Sequence, residues 1–185
     1  MGNDIQFERD FWDRCTNTFD EEQKHFVYGE HMGLPRHRYQ FDAQGKSVLD
    51  IGGGPVSILL KCFNLKHGKV IDPIQFPEWV VLRYAMAGVK FQVGFGEDIS
   101  ETGWDEVWVY NCLQHVKDPG LLLANARRAG KIVRIFEWLK PVYEGHPIAL
   151  TKEALDRWLH GDGQIKEFAE QGCFGLAYFG AFSGE

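Results

Sequence analysis

What this chain lacks narrows it before any motif is read. Its apolar runs are short, such as Ile58-Leu59-Leu60, so none could span a bilayer. The first ten residues carry charge early and have no apolar stretch, which excludes a secretory leader of the usual pattern. Cysteine is sparse: four residues, at 15, 62, 112 and 173, with no C-x-x-C pair. That spacing excludes a standard zinc site and suits reduced, mostly buried thiols in a cytoplasmic protein. Positive charge is in deficit, with 20 Lys and Arg against 26 Asp and Glu and a net charge of -6, which disfavours nucleic acid as a partner. Two basic clusters, Arg36-His37-Arg38 and Arg127-Arg128 with Lys131 and Arg134, read as solvated helix ends or loops. The seven histidines form no H-x-x-x-H pair, and no metal site is expected. There are no repeats and no low-complexity tracts.

What remains is an ordinary globular composition in 185 residues, 44% apolar and 25% charged, enough for one domain with a sizeable core. Residues 1–45 read as a helical cap or lid rich in aromatics, including Phe26 and Tyr28. In it a helix capped by Thr18 or Asp20 runs to about His31, and Gly33 and Pro35 end it. From Ser47 the pattern changes to short apolar runs alternating with helical ones. Strands are expected at 47–51, 68–72, 90–94, 105–110 and 131–137, and helices at 55–65, 76–87, 119–128 and 151–159. Such alternation implies βαβ units and a parallel sheet with helices on both faces. The link between the third and fourth strands is too short for a crossover helix and should be an abbreviated turn. Residues 164–170 and 176–183 read as a C-terminal antiparallel hairpin.

The most informative segment is Val48-Leu49-Asp50-Ile51-Gly52-Gly53-Gly54-Pro55. An apolar strand ends in an acid, then glycines, then a segment tolerant of proline at a helix start. Glycines let a backbone approach a ligand closely. A dinucleotide fingerprint needs a third glycine where this chain has Ser57. A carboxylate at Asp50 aimed into the pocket would also repel a pyrophosphate and favour a cationic ligand head. The second signal is Val70-Ile71-Asp72-Pro73, about twenty residues on, where an acid can accept both hydroxyls of a ribose.

With these residues the chain resembles the class I S-adenosylmethionine-dependent methyltransferases, in particular the small-molecule type with D-x-G-x-G. The resemblance runs from about Gly45 to Leu159. Gly94-Phe95-Gly96-Glu97-Asp98-Ile99 resembles the family's G-D-A-E-D-L segment beside the adenine. Tyr110 to Pro119 resembles the loop after the fourth strand with its His-Val-x-Asp-Pro ending. His146-Pro147 with Leu150-Thr151-Lys152-Glu153 resembles the stretch before the helix that follows strand five. The resemblance implies a Rossmann-like, mostly parallel seven-stranded sheet within a single domain, its core at 46–185. It implies S-adenosylmethionine as cofactor, with Asp50 and Gly52, Gly53 and Gly54 at the methionine moiety and Asp72 at the ribose. Pro73, Ile74, Gly96 and one of Glu97 or Asp98 would border the adenine, Asn111 would meet the methionine end through its backbone, and Cys112 and His115 would be further cofactor-side residues of that loop. Phe95 stands where the family often has an aspartate for the adenine amino group, a departure that leaves that contact to a neighbour or to apolar packing.

The candidates for chemistry are His115, Glu137, His146 and Tyr28, each with a structural reading beside the functional one. The loop after strand four reads Asn111-Cys112-Leu113-Gln114, unlike that of enzymes acting on base amines. Glu137-Trp138 after strand five is unlike the Asp-Asn pair of metal-dependent catechol-type enzymes. By elimination a small-molecule acceptor is expected, with no membrane partner. Two other classes stay open: a non-catalytic S-adenosylmethionine-binding protein or subunit, and an NAD-dependent oxidoreductase.

Overall fold

The computed structural model of the chain describes residues 2–143, 146–170 and 172–185. Two helices open it, α1 (Gly2–Trp12) and α2 (Cys15–His31), followed by short strands β1 (Arg36–His37) and β2 (Gln40–Asp42). Then come β3 (Ser47–Ile51), β4 (Cys62–Phe63), β5 (His67–Asp72), α3 (Glu78–Met86), β6 (Val89–Val93) and β7 (Trp104–Tyr110). The chain ends with α4 (Pro119–Ala129), β8 (Gly130–Trp138), α5 (Lys152–Leu159), β9 (Gln164–Glu170) and β10 (Cys173–Ser183).

Seven strands form one sheet in the order β6-β5-β3-β7-β8-β10-β9. The first five are parallel, and β10 runs antiparallel to both β8 and β9. This is the Rossmann-like methyltransferase arrangement that the sequence implies, with the expected C-terminal hairpin. Alternation along the strands separates two cores. Val48, Val70, Trp108 and Phe136 pack with Val27 and Tyr28 of α2 and Val80 and Tyr84 of α3 on one face. Leu49, Ile71, Val107 and Ile135 pack with Leu122 and Leu123 of α4 and Leu155 and Leu159 of α5 on the other. All five residues of β3 are buried, as a central strand covered on both faces requires.

Helix starts follow their caps. Asp118 accepts a hydrogen bond from Leu121 N at 2.9 Å with Pro119 at the first helical position, and Thr151 accepts from Ala154 N at 3.2 Å. The link between β6 and β7 is a 3₁₀ turn at Gly96–Asp98, the abbreviated form expected.

Two expectations are corrected. Residues 55–65 are not a helix: after the glycine turn comes a 3₁₀ turn at Ile58–Lys61 and then β4, which pairs in parallel with β2. The segment is drawn into a second, three-stranded sheet, β1-β2-β4, and Asn64 beyond it takes a positive φ of 54° that no helix allows. The N-terminal helix is also not capped by Thr18 or Asp20; α2 begins earlier, and a separate α1 precedes it. Cys112 and Cys173 are buried free thiols and Cys62 is half-buried; the side chain of Cys15 lies outside the described residues.

Glu106 ties the lower edge of the sheet together. It is 2% exposed and accepts from Lys46 Nζ at 2.7 Å, Arg134 Nε at 2.7 Å and Trp108 Nε1 at 2.8 Å. Arg134 also donates to Met32 O at 2.6 Å, anchoring the end of α2. Burial works against the charge, yet these donors hold the Glu106 carboxyl below its ordinary range. Glu106→Ala should lower unfolding stability in urea by about 3–5 kcal/mol, because two cations are left without their partner. A loss under about 1 kcal/mol would show that the network is solvated.

Candidate cofactor site

The carboxyl ends of β3, β5 and β7 open on one side of the sheet, where ligands bind in open α/β folds. The glycine turn sits at the centre of that edge. Gly52 has a φ of +76°, and a Cβ there would lie 2.7 Å from the Cβ of Cys112; a Cβ on Gly53 would lie 2.6 Å from Asp50 Oδ2. Neither position has room for a side chain.

Asp50 explains the second clash. Its side chain lies beneath the turn with no exposed surface, rather than at the pocket mouth where the charge argument placed it. Oδ2 accepts from Tyr110 Oη at 2.7 Å and from Ser57 Oγ. The segment after the turn is pinned by tyrosines. Tyr84 Oη donates to Gly54 O at 2.7 Å and accepts from Ser57 N at 2.9 Å, and Tyr110 Oη accepts from Ile58 N at 3.0 Å. Burial pushes the Asp50 carboxyl up to about 7, and its Oδ1 is buried with no hydrogen-bond partner.

Above the turn is a cavity of about 380 Å³, within the range of small-molecule sites. Gly52, Gly54, Asn111 and Cys112 form one end. Asp72 lies on the wall, accepting from Gly54 N at 3.0 Å and Ile74 N at 2.9 Å; burial raises it to about 7. Ile51, Ile71, Pro73, Ile74, Phe95 and Val116 give the cavity an apolar slot beside Gly96. Lys117 Nζ stands 4.8 Å over the Phe95 ring, and Glu97 accepts from Lys117 N at 2.9 Å and Asp118 N at 3.3 Å. Glu97 thus fixes the loop after β7 against the slot, whereas Asp98 is exposed and away from it. The structure therefore brings Gly52, Gly54, Asp72, Pro73, Ile74, Phe95, Gly96, Glu97, Asn111, Cys112 and His115 to one cavity, and leaves Asp50, Gly53 and Asp98 off its wall.

The sequence reading places a cap in residues 1–45 without naming the residues that line the cavity. Ile5, Glu8 and Trp12 of α1 close the cavity from outside, with Pro147 and Ile148 opposite. Their spacing along one helix face was the available signal. Trp12 lies over Gly54, 3.7 Å from where a Cβ would be, and its Nε1 donates to Glu8 at 3.2 Å. Phe26 and Tyr28 pack as core, the default reading for such aromatics, rather than as a lid: Tyr28 is wholly buried among Phe136 and Trp138, and Phe26 packs on Phe41.

The four candidates for chemistry separate. His115 is on the cavity wall, its Nδ1 3.3 Å from Glu8 Oε1. His146 stacks edge-on to it with ring centres 4.7 Å apart and shares a hydrogen bond of 2.9 Å with Tyr143 Oη. Tyr28 is a core residue. Glu137 is wholly buried, and its Oε1 accepts from Cys112 N at 3.0 Å and Leu113 N at 3.1 Å, so it shapes the loop after β7. Burial raises its carboxyl to about 8.

No protein-family model matches the chain, and no curated protein matches it in sequence. Solved structures do share its fold. A chain of the complex between the Haloferax volcanii Trm112 methyltransferase activator and a methyltransferase aligns with a TM-score of 0.65 at 14% identity, covering 97% of both chains. An S-adenosylmethionine-dependent methyltransferase of Thermotoga maritima aligns at 0.63 and 13%, covering 97% of this chain and 95% of that one. The N-methyltransferase NodS of Bradyrhizobium japonicum, bound to S-adenosylhomocysteine, aligns at 0.56 and 12%, covering 75% and 78%. The structural neighbours are thus S-adenosylmethionine-dependent methyltransferases, mostly of small-molecule types, and the fold of this chain is theirs.

Two outcomes follow from the buried acids. Glu137→Gln keeps an acceptor for the two amides and mimics a neutral acid, so its stability at pH 7 should stay within about 1 kcal/mol, whereas Glu137→Ala should cost roughly 2–4 kcal/mol through two unmade bonds. Equal losses in both variants would show an ionised Glu137. Asp50, Asp72 and Glu8 at about 7 and Glu137 at about 8 all lie above their unfolded ranges, so the native state holds more protons. Their contribution is complete below the unfolded values and is lost as pH rises through 7 to 8. The urea midpoint should therefore fall between about pH 5.5 and 8.5, and a flat profile would contradict the raised values.

Proposed function

We propose that the chain is an S-adenosylmethionine-dependent methyltransferase that acts on a small-molecule acceptor. One observation carries the reading: the glycine turn, the Asp72 carboxyl and a set of apolar side chains all line a single cavity at the carboxyl edge of this sheet. Each part matches a part of that cofactor. Each Asp72 oxygen accepts one backbone amide and keeps acceptor capacity for a vicinal diol. Ile74 and Phe95 border a slot of the right character for a purine, with Gly96 beside it. Gly52 and Gly54 leave backbone bare next to Asn111 and Cys112, where an amino acid end would lie.

When bound, S-adenosylmethionine supplies a methyl group already activated on a sulfonium. The work left to the protein is alignment and exclusion of water. Trp12 and Ile5 cover the cavity, and Gly52 abuts Cys112 so closely that the floor is rigid. His115, on the cavity wall, is the group placed to receive a proton from an acceptor that needs a base, whereas burial lowers the neighbouring His146 to about 4.

A second reading, in which the chain works as a subunit, has one feature behind it. The edge strand β6 ends in exposed Val93, and neighbouring α3 exposes Trp79, Leu82 and Met86 at 60%, 53% and 89%. Such a stripe suits a protein partner, and we take that partner to be an activator subunit of the kind in the Haloferax complex. Replacing Trp79 and Met86 by Lys should then abolish co-purification of such a subunit while leaving the isolated chain soluble.

The main reading is tested by calorimetry and isotope transfer. The purified chain should bind S-adenosylmethionine, and Asp72→Ala should weaken binding at least about tenfold. Tritium from the labelled methyl group should appear in small molecules of a cell extract. Binding of NAD without binding of S-adenosylmethionine would overturn the proposal, and binding without transfer would reduce it to a cofactor-binding protein.

A further inference from the structure

The ammonium and the sulfonium of such a cofactor are positive and a carboxylate near either is favourable, but Asp50 is not available. Its side chain is sealed beneath the turn, with Gly53 lying across it. Another acid stands in the cavity. Glu8, on the inner face of α1, lines it together with Asp72. Its Oε1 is 3.3 Å from His115 Nδ1 on the loop after β7, and its other oxygen accepts from Trp12 over Gly54. Glu8 thus spans the distance between the glycine turn and that loop, the two elements that meet the methionine end in the reading above.

We infer that Glu8 is the carboxylate that meets the cofactor's positive charge, and that α1 carries this contact as part of the cavity's cover. The inference rests on the S-adenosylmethionine reading and adds a binding residue to it. The surroundings agree. Around Glu8 stand His115, Asp72 at the end of β5, Glu21 of α2 and Tyr143, and Lys117 lines the same cavity. Burial, with Glu21 nearby, pushes the Glu8 carboxyl up to about 7, so the contacts with Trp12 and His115 do not offset its desolvation. A cation entering the cavity would do so. The cover is then selective for charge: α1 closes with a favourable contact over a cationic occupant and without it over a neutral one.

Three ligands measured by calorimetry on wild type and Glu8→Gln separate the outcomes: S-adenosylmethionine, S-adenosylhomocysteine and 5′-methylthioadenosine. The first has a sulfonium and an ammonium, the second only the ammonium, and the third neither. Glu8→Gln should weaken the first by about ten- to a hundredfold, the scale of one hydrogen-bonded charge contact, and leave the third unchanged. If the second weakens as much, Glu8 meets the ammonium; if it holds, Glu8 meets the sulfonium. Glu8→Lys should weaken the first still further. Equal affinity of wild type and Glu8→Gln for all three, or an equal loss for all three, overturns the inference while leaving the cofactor reading intact. A wild-type chain that binds none of them removes that reading and the inference with it. Unchanged circular dichroism and melting of Glu8→Gln confirm that the comparison is between folded proteins.

Discussion

A wholly buried carboxyl under a glycine turn sets the geometry on which the rest of the site depends. Asp50 draws in Ser57 and Tyr110, and Ser57 Oγ in turn accepts from Leu59 N at 3.0 Å. Tyr84 closes the circuit by holding Gly54 O and Ser57 N. Every polar atom of the hydroxyls in this circuit has a partner, which is the condition under which a buried network rigidifies rather than weakens a core. The one atom without a partner is Asp50 Oδ1, where a proton can reside in an acid raised to about 7. The turn is thus shaped from below by the protein itself, and its upper surface is left as bare backbone. Asp72 repeats the device one strand over, tying the Gly54 and Ile74 amides together.

This circuit also explains what could be read from the sequence and what could not. The large sheet was legible because its strands are short apolar runs between turn residues, and because Asp118-Pro119 and Thr151 are plain helix starts. The cavity-lining residues after β5, β6 and β7 were legible because their chemistry is local to a strand end. The helix expected at 55–65 failed for a long-range reason. Its amides at Ser57 and Ile58 are satisfied by tyrosine hydroxyls from residues 84 and 110, and Cys62 and Phe63 pair with β2. No local pattern announces either partner. Asp50 shows the same limit. Its place at a strand end is readable, but whether the side chain faces out or down depends on Ser57 and Tyr110.

The electrostatics of the cavity follow from where the cations have gone. Lys46 and Arg134 serve Glu106 at the far edge of the sheet, and Lys61 and Arg83 serve Glu22. Arg127 and Lys131 pair with Glu185 and Asp105, and Arg36 pairs with Glu30. Among the described residues of the cavity wall the one permanent cation is Lys117, set over the Phe95 ring, while Glu8, Asp72 and Glu97 are there as acids. Desolvation raises the first two.

The same facts bear on the rival cofactor. A dinucleotide is held by its pyrophosphate, which needs free amides at a helix start and no nearby acid. In this chain no α-helix follows the glycine turn. The Gly54 amide is given to Asp72, and the Ser57 and Ile58 amides to Tyr84 and Tyr110. A phosphate above the turn would meet few free donors and would face Asp72 and Glu8 across the cavity. A ligand with a diol, a flat base and a positive end meets the opposite conditions at each of those points. The departure from the dinucleotide pattern at Ser57 is therefore more than a missing glycine, because that hydroxyl is what holds Asp50 beneath the turn.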